Sequence, residues 1–318
     1  MNPSPAAKML LVLSLGASLR LYGQDSNFTL PVTEIERRLR HEPLEIFRFR
    51  NSRFEGDITK RVILKWRDGS FMQVKWKRAP AGGWGTNNEP RYEIAAYKLQ
   101  QLFLDPENYV VPPTVARTLP LDQYHAIDKA GEPTFKNSSS VLFVLQYWLE
   151  NVTADDVFDK KRFNSDSTYA RHLSNMNVLS HLIDHKDANI GNFLKSTDPK
   201  NPRVYAVDNS LAFASPESNR GFEWRKLRVN RLPKQTVERL QHIDLEMLRQ
   251  SLDVVAQLEI RDGLLMVVEA TAAIDPDQGV RQEENVVQFG LTAFEIKNVN
   301  ERLQKLLKMV QSNKIKIF

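Results

Sequence analysis

Residues 187–194 read Asp-Ala-Asn-Ile-Gly-Asn-Phe-Leu, and residues 203–209 read Arg-Val-Tyr-Ala-Val-Asp-Asn. The segment between them is rich in turn-forming residues and has apolar residues on both sides, which predicts a hairpin centred near Lys200. Pairing that is symmetric about this residue places Asn192 opposite Asp208, with Cα atoms about 4.5–5.5 Å apart. An amide oxygen and a carboxylate would then meet at the open end of the hairpin, with Asp187 one turn upstream.

These side chains are suited to holding a metal-bound nucleotide. Mg²⁺ prefers hard oxygen ligands, takes few of them from protein, and completes its shell with water and phosphates. Asn192 and Asp208 are therefore candidate ligands for Mg²⁺ or Mn²⁺, and Asp187 would orient or deprotonate an acceptor hydroxyl. The same residues would also suit a cluster of turn-capping side chains, since Asp and Asn are common in loops.

A second hairpin is predicted earlier in the chain. β-rich runs at 62–66 and 71–77 flank the residues Arg-Asp-Gly-Ser, and Asp-Gly favours a two-residue type I′ turn. This register pairs Val62 with Lys75 and places Lys75 and Lys77 on the same sheet face as Val62 and Trp66. A lysine buried there needs an anionic partner, either Glu93 on the following helix or a phosphate. Alternatively, both lysines project past the sheet edge into water.

The remaining pattern indicates an α+β protein with two lobes. Helices are predicted over 31–48, from Pro90 and over 165–183, and strands over 109–113 and 141–145. The chain beyond Asp208 is predicted to be mostly helical. We expect a linker and helix at 24–50, a β-rich N-terminal lobe at 51–149 and a mostly helical C-terminal lobe at 150–318.

Composition narrows the possible functions. The chain has 318 residues, 42% of them hydrophobic and 26% charged, which suffices for a large core. The absence of cysteine excludes disulfides, Cys-based zinc sites and thiol catalysis. The net charge of +5 is spread along the chain, typical of a solvated surface, and no nucleic-acid-binding module is recognisable.

The N-terminus has the pattern of an export signal. Lys8 precedes an apolar run at 9–19, and polar residues follow from Gln24. The run is too short to span a membrane. We expect an exported protein, periplasmic or secreted, whose residues 1–23 are the signal and whose mature chain has no transmembrane segment. A cytoplasmic protein with an N-terminal helix is the alternative.

Several segments, in order, resemble a known family. Residues 93–99, Glu-Ile-Ala-Ala-Tyr-Lys-Leu, and 111–115, Val-Pro-Pro-Thr-Val, look like the Golgi secretory-pathway family of casein and proteoglycan-xylose kinases. Residues 187–192 and 207–213 are similar to both that family and the phosphatidylinositol 4-kinases. The resemblance spans residues 55–260 and implies a two-lobed protein-kinase-like fold that binds ATP with Mg²⁺ or Mn²⁺, here in a bacterial-type, exported homologue.

The resemblance also implies individual roles. Asp187 resembles the catalytic aspartate, and Asn192 and Asp208 resemble the metal ligands. Lys77 resembles the phosphate-contacting lysine, with Glu93 as its ion-pair partner. The nucleotide would further be bound by a hinge at Gln146, Tyr147 and Trp148 and by a phosphate-covering loop at 55–59.

The chain departs from this family at three positions near the site and in the glycine content of the covering loop. Ala188 stands where an arginine is usual, His185 where asparagine is common, and Ser210 where glycine is common. The covering loop has one glycine, Gly56. From the resemblance we expect transfer of the γ-phosphate of ATP to a hydroxyl of a protein, sugar or lipid headgroup. Because of these departures, a nucleotide-binding pseudokinase or scaffold is the alternative.

A metal-dependent hydrolase is a more distant alternative. His181, Asp184, His185 and Asp187 lie close in sequence, and histidine with carboxylates can bind a catalytic metal. However, His181 and His185 share one helix face, whereas Asp187 lies beyond the predicted helix.

Overall fold

The computed structural model describes residues 27–51, 58–86, 88–216 and 224–318. The predicted export signal at 1–23 and residues 55–57 of the predicted covering loop lie outside the described residues. Within the described part, no helix combines the length and the apolar character needed to cross a membrane.

The first half of the chain is dominated by strands. Its elements are α1 (Val32–His41), β1 (Glu45–Asn51), β2 (Thr59–Lys65), β3 (Phe71–Arg78), α2 (Pro90–Gln101), β4 (Thr114–Pro120), α3 (Leu121–Tyr124) and β5 (Ser140–Tyr147).

The second half contains most of the helical residues. Its elements are β6 (Val152–Thr153), α4 (Lys160–Ser165), α5 (Ser167–Leu182), β7 (Phe193–Ser196), β8 (Val204–Ala206), β9 (Arg231–Leu232), α6 (Lys234–Gln241), α7 (Leu245–Leu252), β10 (Ala256–Arg261), β11 (Leu264–Val268), β12 (Val280–Glu283), β13 (Val286–Phe289), α8 (Ala293–Gln311) and β14 (Lys316–Ile317).

Strands β1 to β5 form one sheet in the order β1-β2-β3-β5-β4. The predicted β2–β3 hairpin exists, but its register differs by one residue, since Val62 pairs with Val74 and Arg61 with Lys75. The connection has three residues and ends at Gly69, whose φ of 82° is the left-handed conformation that such loops require. Because side chains alternate with period two, the shift removes Lys75 and Lys77 from the face of Val62 and Trp66.

The two faces of this sheet are therefore chemically distinct. One is the apolar face of Val62, Leu64, Val74 and Trp76, all fully buried. The other, which we call the cleft face, carries Arg61, Lys75 and Gln146 in one row across β2, β3 and β5.

Helix α2 begins at Pro90, as predicted, because proline lacks an N–H that the first turn could not pair. Ala95 and Leu99 of this helix and Phe103 just after it are buried, and Leu102 is partly buried against the same core. The predicted strand at 109–113 is absent. The Gln100 side chain instead satisfies this backbone: its Oε1 accepts from the N–H of Val110 and Val111 at 2.8 Å, so these amides do not join a strand ladder.

The helix predicted over 31–48 ends at His41, and residues 45–48 belong to β1. Pro43 accounts for the difference, because the residue before a proline is disfavoured in helical conformation. The region predicted as linker and helix thus contributes an edge strand to the sheet.

The hairpin centred near Lys200 is also present, with a shifted register. Strands β7 and β8 pair Phe193 with Ala206, and the Val207 N–H donates to the Asn192 carbonyl at 2.9 Å. Asn192 therefore lies opposite Val207 rather than Asp208. The closing pair is Ser196 with Arg203, so the loop has an even number of residues and cannot be centred on Lys200.

A four-stranded antiparallel sheet, β11-β10-β13-β12, was not predicted. It lies in the region expected to be helical, and β11 packs against β4 and β5 of the first sheet. The Thr118 hydroxyl donates to the Leu265 carbonyl at 2.8 Å, and the Ser139 N–H donates to the Gly263 carbonyl at 2.7 Å. Residues 256–289 therefore extend the N-terminal lobe, although they follow the helical lobe in sequence.

Candidate functional site

The centre of the site is an ion-pair network between β3, α2 and the segment after β8. Lys75 Nζ lies 3.0 Å from Glu93 Oε1 and 2.9 Å from Asp208 Oδ1. Burial opposes the charged form of Lys75, but the carboxylates of Asp208 and Glu93 outweigh it and raise the lysine pKa. One ammonium group thus joins the sheet, the helix and the loop of the other lobe.

Lys77, the predicted partner of Glu93, lies farther from that carboxylate than Lys75 does. Its Nζ is 3.8 Å from Glu93 Oε1, 3.3 Å from Asp208 Oδ1 and 2.9 Å from the Ser210 hydroxyl. Both lysines face the site because they are two residues apart on one strand. The closer partner of Glu93 is Lys75 rather than the predicted Lys77.

Glu93 and Asp208 differ in their exposure. The Glu93 side chain is 2% exposed, and its second oxygen accepts the Asn209 N–H at 3.0 Å. The Asp208 side chain is 43% exposed, and its backbone φ is 58°. Burial disfavours the Asp208 carboxylate, but Lys75 and Lys77 hold its pKa well below its usual value, so it is ionised at neutral pH.

Asp187 lies on the loop between α5 and β7, and its neighbours fix its orientation. Its two carboxylate oxygens accept from the Asn189 amide at 2.8 Å and the Asn192 amide at 3.0 Å. The Asp187 N–H donates to His185 Nδ1 at 3.2 Å. Burial lowers the pKa of His185, which keeps the imidazole neutral and able to accept this hydrogen bond.

His185, interpreted from the sequence as a departure from the family, belongs to a simple pattern. His185, Asp187 and Asn192 have the spacing of the protein-kinase catalytic loop, H-R-D-x-x-x-x-N, with lysine in place of arginine. The hydrogen bonds explain this spacing, because residues on both sides of Asp187 support its backbone and its carboxylate. Comparison with that pattern would have identified His185 as part of the loop.

The three predicted hinge residues have different environments. The buried Gln146 donates to the Thr114 hydroxyl at 3.0 Å, and the Tyr147 hydroxyl accepts the Thr29 N–H at 3.0 Å. Their side chains are thus hydrogen-bonded within the protein. Their backbone is paired as well, since Gln146 lies in the strand ladder between Lys75 and Thr114 and the Tyr147 N–H donates to the Pro113 carbonyl at 2.9 Å. Trp148 is 37% exposed, and its ring lies 4.6 Å from the Arg61 guanidinium.

Trp148 lies on the cleft face. Its N–H donates to the Gln73 carbonyl at 2.9 Å, which continues the β3–β5 ladder by one residue and places Trp148 on the same face as Gln146 and Lys75. Trp148 and Arg61 therefore meet across β3 on the side that carries the ion-pair network.

The donor set fits a magnesium or manganese ion with few protein ligands. In the described part of the chain, no residue donates a hydrogen bond to Asn192 Oδ1 or Asp208 Oδ2, so both oxygens are available. Both are hard donors of the type that Mg²⁺ takes.

The hydrolase alternative receives no support. Among the described residues, no group of three or more histidine or carboxylate side chains could hold a metal. His181 Nδ1 lies 3.3 Å from the Arg225 carbonyl, and the His185 ring is directed at the Asp187 backbone.

Two of the cavities formed by the described residues lie away from this site. One of about 280 Å³ lies between α5, α6 and Phe318, and another of about 290 Å³ is lined by Ile58, Pro80 and Thr134. At the site itself, the direct contact of both lysines with Asp208 joins the two lobes.

No protein-family model and no curated protein matches this chain. Among solved structures, hydra Fam20, determined with sugar, is 14% identical; the match covers 89% of this chain and 88% of that chain, with a TM-score of 0.52. The Golgi casein kinase is 13% identical over 89% of this chain and 76% of that chain, with a TM-score of 0.49. Its form with Mn and ADP bound is 12% identical with the same coverage and a TM-score of 0.48.

The similarity to hydra Fam20 extends over nearly the full length of both chains. The predicted α+β, two-lobed protein-kinase-like fold is confirmed, and so is the predicted resemblance to this group of kinases at the level of the fold. The resemblance to phosphatidylinositol 4-kinases and the bacterial origin remain predictions.

Proposed function

We propose that the protein is an atypical kinase, an ATP-dependent phosphotransferase that moves the γ-phosphate to a hydroxyl acceptor. The observation that carries this proposal is the Lys75 ammonium group, held between Glu93 of the helix and Asp208 of the facing lobe. In protein kinases, a lysine–glutamate pair and a metal-binding aspartate must both be in place for phosphoryl transfer. This chain has such a lysine–glutamate pair on a fold of that kind, and Asp208 beside the pair is the candidate metal-binding aspartate.

The nucleotide would lie along the cleft face of the sheet. Its phosphates would accept from Lys75, and from Lys77 beside it, in place of the Asp208 carboxylate that both lysines now contact. The base would lie near Trp148, because this side chain is exposed on the same face and one strand away from β3. Gln146 and Tyr147, the other predicted hinge residues, would support this part of the cleft without donating their N–H groups to the base, since both residues are paired in the sheet.

A divalent cation, Mg²⁺ or Mn²⁺, would be held by Asn192 and Asp208. When bound, it would neutralise charge on the phosphates. Asp208 is already ionised, so no proton has to be lost before it binds a cation.

Asp187 would position the acceptor hydroxyl and accept its proton. Its carboxylate is fixed by amide donors of Asn189 and Asn192, which orient the oxygens and leave room on each for one more hydrogen bond. A group held in this way loses little freedom when the acceptor binds, which favours transfer.

The acceptor would be a protein, a sugar or a lipid headgroup. The candidate acceptors to be tested should include sugars, because the structure of hydra Fam20, which shares the fold, was determined with sugar. Export of the protein is part of the proposal and is supported by the apolar run at 9–19.

The test is transfer of radiolabelled γ-phosphate from ATP, with Mn²⁺ or Mg²⁺, to pooled protein, sugar and lipid acceptors. We expect labelling by the wild type and none by Asp187→Ala, with the affinity of both proteins for ADP the same. Nucleotide binding without transfer to any acceptor class would refute the kinase assignment.

A second candidate function is nucleotide binding without transfer. Asp208 Oδ1 lies 2.9 and 3.3 Å from two ammonium groups, so a metal would share this carboxylate with two cations. This arrangement favours a pseudokinase that binds nucleotide without metal. Binding of ATP in EDTA with the same affinity as in Mn²⁺, together with no transfer, would establish that alternative.

A further inference from the structure

A buried polar cluster ties the first turn of α2 to the first turn of α8. The Arg91 guanidinium donates to Glu295 through both terminal nitrogens, at 2.6 and 3.0 Å, although the residues are 204 positions apart. The Tyr92 hydroxyl also donates to Glu295. Arg91 is 8% exposed, and Tyr92 and Glu295 are each 2% exposed. This pair is therefore shielded from water and has the two-point geometry that fixes orientation.

The helix α8 side of the cluster is itself rigidly built. Glu295 forms a capping box with Thr292, in which Glu295 Oε2 accepts the Thr292 N–H at 2.7 Å. The Arg91 guanidinium also donates to the Gly290 carbonyl at 3.1 Å. A Cβ atom at Gly279 would lie 2.4 Å from Arg91 Cζ, so the arginine fits only because this residue is glycine.

The cluster acts on the helix that carries Glu93. Arg91 and Glu93 are two residues apart, which places them about 200° from each other around the helix axis. One side of the first turn is held by Glu295, and the opposite side presents Glu93 to Lys75 at 3.0 Å. Tyr92, between them, also packs against Phe213 with ring centroids 5.1 Å apart. A rotation of this turn would move Glu93 away from Lys75.

We propose that Arg91 and Glu295 are positioning residues that hold Glu93, and through it Lys75, in the arrangement that binds phosphate. The structure that fixes the helix is the unpredicted sheet β10–β13 together with the start of α8. The helix orientation that the ion pair needs is thereby held by contacts within this chain. This inference rests on the proposed nucleotide-binding function.

The test separates positioning from folding by comparing two ligands, ADP with Mn²⁺ and adenosine. A shift of Glu93 should weaken the contacts of Lys75 with the phosphates of ADP, which adenosine lacks. We expect Glu295→Gln to weaken ADP binding about 10-fold or more, the equivalent of one charge-assisted contact, with adenosine affinity unchanged within about 2-fold. Binding is measured by calorimetry at a temperature where each variant is folded by circular dichroism.

Arg117→Met is the matched control. Arg117 is a partly buried arginine of the same lobe that donates to the Leu39 and Glu42 carbonyls, away from the site. We expect it to lower the melting temperature without changing the ratio of the two affinities. If Glu295→Gln does not fold, Arg91→Lys carries the same test, since lysine keeps the charge but cannot make the two-point contact.

An unchanged ratio in Glu295→Gln or Arg91→Lys, with wild-type ADP binding intact, overturns this inference and leaves the proposed function standing. Equal loss of ADP and adenosine affinity also overturns it, because the role would then be structural. Absence of ADP binding by the wild type refutes the proposed function, and the inference with it.

Discussion

Replacement of Lys75 by methionine removes the closest counter-charge of a buried carboxylate. Lys75 Nζ is 3.0 Å from Glu93 Oε1, and the Glu93 side chain is 2% exposed. Loss of one partner from a buried ion pair costs about 3–5 kcal/mol. We expect Lys75→Met to lower the free energy of unfolding by about 3 kcal/mol, the low end of that range. The reason is that Lys77, at 3.8 Å, and the Asn209 N–H still support Glu93.

The double variant Lys75→Met/Glu93→Gln distinguishes this cause from lost packing. Neutralising Glu93 removes the unpaired charge, so we expect it to recover about 1–3 kcal/mol of the loss, the usual penalty of an unsatisfied buried group. Glu93→Gln alone should destabilise the protein, because it weakens the pair while Lys75 remains charged. The two substitutions are therefore expected to be strongly non-additive.

The assay is urea denaturation of the wild type, both single variants and the double variant, followed by far-UV circular dichroism. Lys77→Met is the control, with an expected loss of only about 1–2 kcal/mol, because its close partners are a hydroxyl and the half-exposed Asp208, whereas Glu93 lies 3.8 Å away. Additive losses in the double variant, or a larger loss in Lys77→Met than in Lys75→Met, would refute the assignment of Lys75 as the partner of Glu93. Nucleotide affinity should stay low in the double variant although its stability recovers.

Three further outcomes are expected. Trp148→Ala should weaken ADP and adenosine alike by about 10-fold, since stacking of a base on an aromatic ring contributes about 1–3 kcal/mol; unchanged affinities in calorimetry would remove Trp148 from the site. Burial lowers the pKa of His172 to about 3, so below its unfolded value near 6.5 only the unfolded state takes up the proton. The contribution of the neutral histidine to the free energy of unfolding is therefore full above that pH and falls by about 2 kcal/mol at pH 5. Urea denaturation of His172→Gln at several pH values should lack this part of the loss of stability in acid. Asn209→Leu should raise the free energy of unfolding by about 1–3 kcal/mol. The reason is that, within the described residues, neither the oxygen nor the nitrogen of this fully buried side-chain amide has a hydrogen-bond partner. A lower free energy of unfolding, measured by urea denaturation, would contradict this.

The sequence alone predicted the grouping of side chains around Asp187, because its geometry is local. Asp187 is oriented by Asn189, Asn192 and His185, all within five residues of it, so their spacing already contains the arrangement. Helix α2 and strand β5 were predicted for a similar reason, since their apolar patterns and the proline start depend on nearby residues.

The pairing register of the two hairpins could not be predicted from the sequence to within one residue. Both hairpins were predicted, yet each is shifted by one residue, because turn residues indicate that a hairpin forms but several loop lengths fit the same residues. A shift of one residue reverses which sheet face a side chain occupies. This is why the face of Lys75 and Lys77 was predicted wrongly and why Asn192 lies opposite Val207.

The tertiary structure decided which distant groups meet. The selection of Lys75 over Lys77 as the closer partner of Glu93 depends on how the sheet, α2 and the Asp208 loop pack together. The contact of Arg91 with Glu295 and the packing of β11 against β4 join segments far apart in the chain. No local pattern encodes such contacts, because their free energy comes from burying groups that become neighbours only when the whole chain folds.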